Sequence, residues 1–215
     1  MARILLGVTG SVAAVRTPNL YERLVQSGHI VRVVATEPAL HFFDASTLVP
    51  TEEDPRGPVF RDRDEWGDAR YVRGEPVLHI EFRKWADLLI VAPLDANTLA
   101  KFALGLCDNF LTCIYRAWDF ARPVVLAPAM NTLMWRSPAT LRHLRQIFAD
   151  AGGAEPGGSW TLDEAADVFA RYAPGVVLIP PQSKTLACGD VGMGAMAEVA
   201  VIAEAVRAWG EPAAD

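Results

Sequence analysis

The stretch "RILLGVTGSVAAV", residues 3–15, decides the fold. Ile, Leu and Val follow one another without polar alternation, which suits a strand buried on both faces. The run stops at Thr9-Gly10-Ser11, and the chain then enters a helical region. Four further runs of the same kind follow: "IVRVVAT" at 30–36, "LLIVAP" at 88–93, "PVVLAP" at 123–128 and "GVVLIPP" at 175–181. Between them lie helical patterns, "TPNLYERLVQSG" with Pro18 near its start and Gly28 after its end, "NTLAKFALGLCDNFLTCIYRAWD", "SPATLRHLRQIFADAG" and "MAEVAVIAEAVRAWG", which closes on Gly210. Strands alternating with helices predict an α/β fold, a doubly wound parallel sheet with helices on both faces.

The 215 residues, 51% hydrophobic and 21% charged, fit a single domain over 1–215 with a core large enough to need no disulfide. Two segments break the rhythm. Residues 47–77 are charged and interrupted by Pro and Gly, and read as an exposed excursion with at most a short edge strand. Residues 152–174 read as a surface insert holding one helix, "TLDEAADVFARYA", opened by the capping-box pair Thr161 and Glu164.

Net charge is −6, and no run of Lys or Arg has the length or aromatic interleaving of a nucleic-acid surface, so nucleic acid is not expected as a partner. Cys107, Cys113 and Cys188 are odd in number and lie in no zinc-like spacing, which predicts reduced thiols and no metal. The apolar N-terminus is broken by Gly7, Thr9, Gly10 and Ser11 where a signal peptide would continue, and no apolar run reaches the ~18 residues of a membrane helix. A soluble cytoplasmic protein with no membrane partner is the expectation.

In such a sheet ligands sit beyond the carboxyl ends of the strands, so the loops after the apolar runs carry the functional information. Thr9-Gly10-Ser11 is either a tight structural turn or a phosphate site built from glycine, backbone N–H groups and a hydroxyl. In "ATEPALHFF", Thr36 ends a strand and Phe42 and Phe43 follow, as a helix cap with core aromatics would. "APLDANTLA" places Asp95, Asn97 and Thr98 at a helix start, more polar groups than one cap requires. In "APAMNTLMW" at 127–135, Pro128 and Pro138 bracket Asn131, whose neutral amide could grip a carboxylate without holding back its loss. His79 reads as a capping or packing residue, as do His29, His41 and His143. Cys107 and Cys113 read as core residues of one long helix, and Cys188 either as a small buried hydrophobe or as part of a glycine-rich loop able to close over a ligand.

Together "GVTGSVAA", "HIEFRKWADLLIVAPLDANTLAKFALGLCDNFLTCIYRAWD", "PAMNTLMW" and "LACGDVGMGAMAE" resemble the homo-oligomeric flavin-containing cysteine decarboxylases, in particular the branch acting on phosphopantothenoylcysteine. The resemblance spans nearly the whole chain outside 47–77 and 152–174. It implies a flavodoxin-like, Rossmann-type three-layer fold, assembly as a trimer or trimer-based dodecamer, and FMN at a subunit interface. Carried over by motif, Gly10, Ser11, Thr36 and Phe42 would meet the FMN phosphate and its surroundings. Asp95, Ala96, Asn97, Thr98 and Ala129 would line the flavin. His79, Asn131 and Cys188 would be catalytic, with Asn131, Met134, Leu186 and Ala187 on the substrate and 182–197 as its clamp loop. Met130, Met134 and Trp135 would wall a dry pocket.

The implied chemistry is conversion of phosphopantothenoylcysteine to phosphopantetheine in coenzyme A biosynthesis, through thiol oxidation, CO₂ loss and re-reduction of the enethiol. Two relatives offer alternatives: decarboxylation of a peptide C-terminal cysteine, which typically lacks the clamp cysteine, and non-catalytic regulation of a phosphatase, usually accompanied by long acidic tails. The single thiol of the clamp motif and the short "EPAAD" end favour the first reading.

Overall fold

A computed structural model describes residues 1–67, 70–154, 159–185 and 191–207. Six parallel strands form the main sheet: β1 (Arg3–Val8), β2 (Ile30–Ala35), β3 (Val59–Phe60), β4 (Leu88–Leu94), β5 (Val124–Pro128) and β6 (Val176–Leu178). Their order is β3-β2-β1-β4-β5-β6, so the direction of winding reverses between β1 and β4. The expected doubly wound sheet is therefore present.

Side chains alternate between two apolar layers, as strand geometry requires. Ile4, Leu6 and Val8 join Leu20 and Leu24 of α1 (Thr17–Gln26) and Ile202 and Val206 of α9 (Val199–Arg207) on one face. Leu5, Leu89, Val91 and Leu126 face the other layer, formed by α3 (Leu78–Trp85), α4 (Ala96–Leu104), α5 (Phe110–Arg116) and α7 (Pro138–Asp150). Gly7 belongs to this second face; a Cβ there would stand 2.7 Å from Leu111 Cδ1, so its absence lets α5 lie close to β1. Among the described residues no helix is long and apolar enough to cross a membrane.

The single helix expected over 97–119 is two helices. Gly105 adopts a left-handed conformation (φ 68°) and closes α4, its N–H reaching the carbonyls of Lys101 and Phe102. Asn109 then caps α5 by accepting from Thr112 N–H at 2.8 Å. Cys107 falls in the connection and is exposed rather than core, and Cys113 is only partly buried. Burial and the nearby Cys107 push the Cys113 thiol up to about 11.

The segment at 47–77 supplies the short edge strand β3, but it is less exposed than its composition suggests. Arg32 donates to Asp54 at 2.9 Å and lays its guanidinium 4.4 Å from the ring centroid of Trp85, pinning the excursion to the sheet. The excursion continues as one helical turn, α2 (Asp62–Glu65). The insert expected at the surface carries α8 (Ala165–Tyr172), whose Ala165, Val168 and Phe169 are buried with Phe148 and Trp160 in the second apolar layer. Glu164 accepts from Thr161 N–H at 2.8 Å, the backward half of the predicted capping box, one turn before the helix itself begins.

The expected clamp loop is an antiparallel ribbon, β7 (Gln182–Thr185) paired with β8 (Val191–Ala195). Its tip, with Leu186, Ala187 and Cys188, lies outside the described residues.

Candidate functional site

Four of the predicted loops converge at the carboxyl edge of the sheet, across the point where strand order reverses. Thr9, fully buried at the end of β1, ties two of them. Its hydroxyl donates to the carbonyl of Pro93 at 2.8 Å and accepts from Asp95 N–H at 2.7 Å. Gly10 is wedged between the loops after β2 and β4: an added Cβ would stand 2.6 Å from Pro38 Cβ and 3.4 Å from Asp95 Oδ2. Ser11 caps the 3-10 turn that follows, accepting from Ala13 N–H at 3.4 Å. Thr36, also buried, donates from its hydroxyl to Val8 O at 3.4 Å, and Phe42 is partly buried just beyond it.

Asp95 turns its carboxylate into its own helix, accepting from Thr98 N–H at 2.6 Å. The first-turn N–H groups of Ala96 and Asn97 have no acceptor within the helix, because an α-helix leaves its first donors unmatched. Those donors, the dipole of α4 and the Ser11 hydroxyl make the mouth donor-rich. Ala96 and Ala129 add small apolar walls, and Ala129 N–H is held to Leu94 O at 2.9 Å. A flat ring system with a phosphate tail fits this surface: the free N–H donors at the start of α4 and the Ser11 hydroxyl for the anion, and small side chains for the ring. FMN has that shape and charge.

The turn after β5 presents Asn131 as the cap of α6 (Thr132–Trp135), its Oδ1 accepting from Leu133 N–H at 2.8 Å. The preceding residue, Met130, is buried and gives its N–H to Gly194 O of β8 at 3.0 Å. Gly194 has φ 152° and a Cβ there would collide with Met130 O; at Gly192 it would meet Thr132 Oγ1 at 2.6 Å. The ribbon thus lies directly on the asparagine turn, at glycines. Met130 and Trp135 are buried as predicted, whereas Met134 is half exposed, because the single turn of α6 directs Leu133 and Met134 outward. The ribbon's base is gathered by Glu198, which accepts from Arg16 at 2.7 Å, from Gln182 at 3.0 Å and from Lys184. The Lys184 ammonium, first, and the Arg16 guanidinium hold the Glu198 carboxyl down at about 2.

His79 is held from a different element. It is the second residue of α3, and its contacts run to Glu65 of α2. Glu65 Oε2 accepts from His79 N–H at 2.8 Å, and Glu65 Oε1 lies 2.5 Å from His79 Nδ1. The Glu65 side chain is only 5% exposed, that of His79 24%. Among the described residues no hydrogen bond joins His79 to the loops after β1, β4 or β5. Sequence reading missed Glu65 altogether. The available signal was "DRDEW" at 62–66, two acids one helical turn apart inside a turn-rich segment. No cluster of His, Cys, Asp or Glu able to hold a metal ion occurs among the described residues.

A profile of the flavoprotein family matches residues 1–210. A phosphopantothenoylcysteine decarboxylase of Arabidopsis thaliana is 47% identical over 209 residues, covering 97% of this chain and 85% of its own length. Among solved structures, a cysteine-to-serine mutant of PPC decarboxylase complexed with pantothenoylaminoethenethiol aligns with TM-score 0.77 and 45% identity, over 98% of this chain and 99% of that one. The FMN binding protein AtHal3 aligns with TM-score 0.75 and 45% identity, over 100% and 99%.

Proposed function

This chain belongs to the flavoprotein family and, within it, to the phosphopantothenoylcysteine decarboxylases, and from that premise we propose that it removes CO₂ from phosphopantothenoylcysteine to give phosphopantetheine, with FMN as cofactor. The observation that carries the reading is the junction of Thr9, Gly10 and Asp95 at the switch point, facing the Asn131 turn across the ends of β4 and β5.

A carboxylate beside an sp³ carbon leaves no sink for its electrons. When bound, FMN supplies two-electron redox chemistry, so that the substrate thiol can become a thioaldehyde before CO₂ loss and the resulting enethiol can be reduced after it. Gly10, Ser11 and Thr36, with the donors of α4, hold the cofactor's phosphate end, and Phe42 packs beside it. Asp95, Ala96, Asn97, Thr98 and Ala129 line its ring. Asn131 binds the substrate carboxylate through its amide while its Oδ1 stays on Leu133 N–H. A neutral amide suits a group that must leave as neutral CO₂, since a cation would stabilise the carboxylate charge that the reaction removes. Buried Met130 and Trp135 keep that side free of water. His79 accepts or returns a proton at the thiol end, and Cys188 donates one to the enethiol. The chain acts as a homo-oligomer, a trimer or a trimer-built dodecamer. Exposed Val12, Val15, Leu133 and Met134, on the segments that leave the site's loops, supply apolar surface for the contact.

The deciding experiment is a visible spectrum of the purified protein, then mass spectrometry of the product from phosphopantothenoylcysteine. A yellow protein releasing phosphopantetheine supports the whole reading. Release of the enethiol alone removes the reductive step, and no conversion removes the substrate assignment.

A further inference from the structure

We propose that Glu65 is a positioning residue for His79, fixing its ring in the tautomer that carries the proton on Nδ1 and leaves Nε2 bare as the proton acceptor. A carboxylate only accepts hydrogen bonds. With Oε1 at 2.5 Å from Nδ1, the shared proton must sit on the ring nitrogen of a neutral imidazole. The other oxygen holds the backbone N–H of the same residue at 2.8 Å, so one carboxylate grips His79 at two points and removes both the flip and the swing of the ring.

The grip is built into the fold. Glu65 is almost wholly buried, a costly place for a carboxylate unless it is bonded and used. Val77, the cap residue of α3, offers no side-chain bond, and Glu65 fills that role across 14 residues, at the helix end where the dipole favours negative charge. Asp62, one turn earlier, accepts from Phe110 N–H at 2.8 Å at the first residue of α5. Asp64 accepts from Arg61 N–H at 2.7 Å. The short helix α2 is thus clipped between the starts of α3 and α5, and cannot turn without releasing both.

The inference rests on the decarboxylase reading for the use made of Nε2, but not for the tautomer. Glu65→Gln separates a positioning role from a capping one. The Gln carbonyl can keep the His79 N–H bond and so preserve the cap, but its NH₂ then faces Nδ1 and drives the proton to Nε2. The test is ¹⁵N-histidine NMR of the FMN-loaded protein at a pH where His79 is neutral, assigned by comparison with His79→Gln. We expect Nδ1–H with bare Nε2 in the wild type, the opposite tautomer in Glu65→Gln, and turnover lower by at least about 10²-fold, the usual scale of proton-transfer assistance. Flavin content should be unchanged, and Glu65→Asp should recover the wild-type tautomer in part.

A wild-type ring protonated on Nε2 overturns the proposal without any variant, as does a Glu65→Gln protein with wild-type tautomer and turnover. Should the wild-type protein leave phosphopantothenoylcysteine untouched, the functional reading fails while the nitrogen shifts still decide the tautomer.

Discussion

The Thr9 hydroxyl sits between Pro93 and Asp95, giving its proton to one and taking a hydrogen bond from the other at 2.8 and 2.7 Å. A side chain just past β1 thereby sets the geometry of the loop after β4. In Thr9→Val both bonds vanish with little change of shape, leaving the buried Pro93 carbonyl and the partly buried Asp95 N–H without that partner. Unfolding free energy should drop by about 1–3 kcal/mol, and FMN should dissociate more readily. Chemical denaturation and flavin fluorescence titration measure the two effects.

Asn131→Asp keeps the cap of α6, because aspartate is as good an N-cap as asparagine. It also places a negative charge where the substrate carboxylate is proposed to bind. Like charges brought together cost several kcal/mol, so kcat/KM should fall by about 10² or more with melting temperature and flavin content unchanged. Unaltered kinetics would remove the carboxylate role.

At Gly194 any side chain meets the Met130 carbonyl, and φ 152° disfavours an L residue independently. Gly194→Ala should lift the ribbon from the asparagine turn at a local cost of about 1–3 kcal/mol. The six-stranded sheet should keep its stability. Turnover should decline far more than FMN affinity, a split visible by comparing steady-state rates with flavin titration.

Glu198 gathers Arg16, Gln182 and Lys184, and its carboxyl is held from the ordinary 4.5 down to about 2. A depressed folded-state value stabilises the folded form above the unfolded value and loses that contribution as pH falls. The loss should therefore run from about 4.5 down to about 2. Glu198→Gln should lower the melting temperature modestly at neutral pH, where exposed pairs are screened, and converge on the wild type as pH falls through that window, so that its acid limb is flatter. A limb identical in the two proteins would remove the network's role.

The central strands were legible because β1 beyond Arg3, β4 and β5 are buried on both faces and read as apolar runs. The loops that follow them were legible because they must lie at the carboxyl edge. The break between α4 and α5 was not. Apolar spacing continues across Gly105, and one glycine in a helix costs only about 1 kcal/mol, too little to punctuate a sequence. Glycines of the clamp motif read as flexibility, whereas Gly192 and Gly194 allow close packing of a paired strand on Thr132 and Met130. Glu65 was hidden for a different reason. Its meaning lies in a residue 14 positions away, and a single turn of helix leaves no periodicity to read.

The outer strands of the sheet, β3 and β6, are two and three residues long. Such short edges present few backbone donors and acceptors for a foreign strand to match, which guards against runaway edge-to-edge association. The main sheet therefore offers a neighbouring copy little backbone to extend at either end.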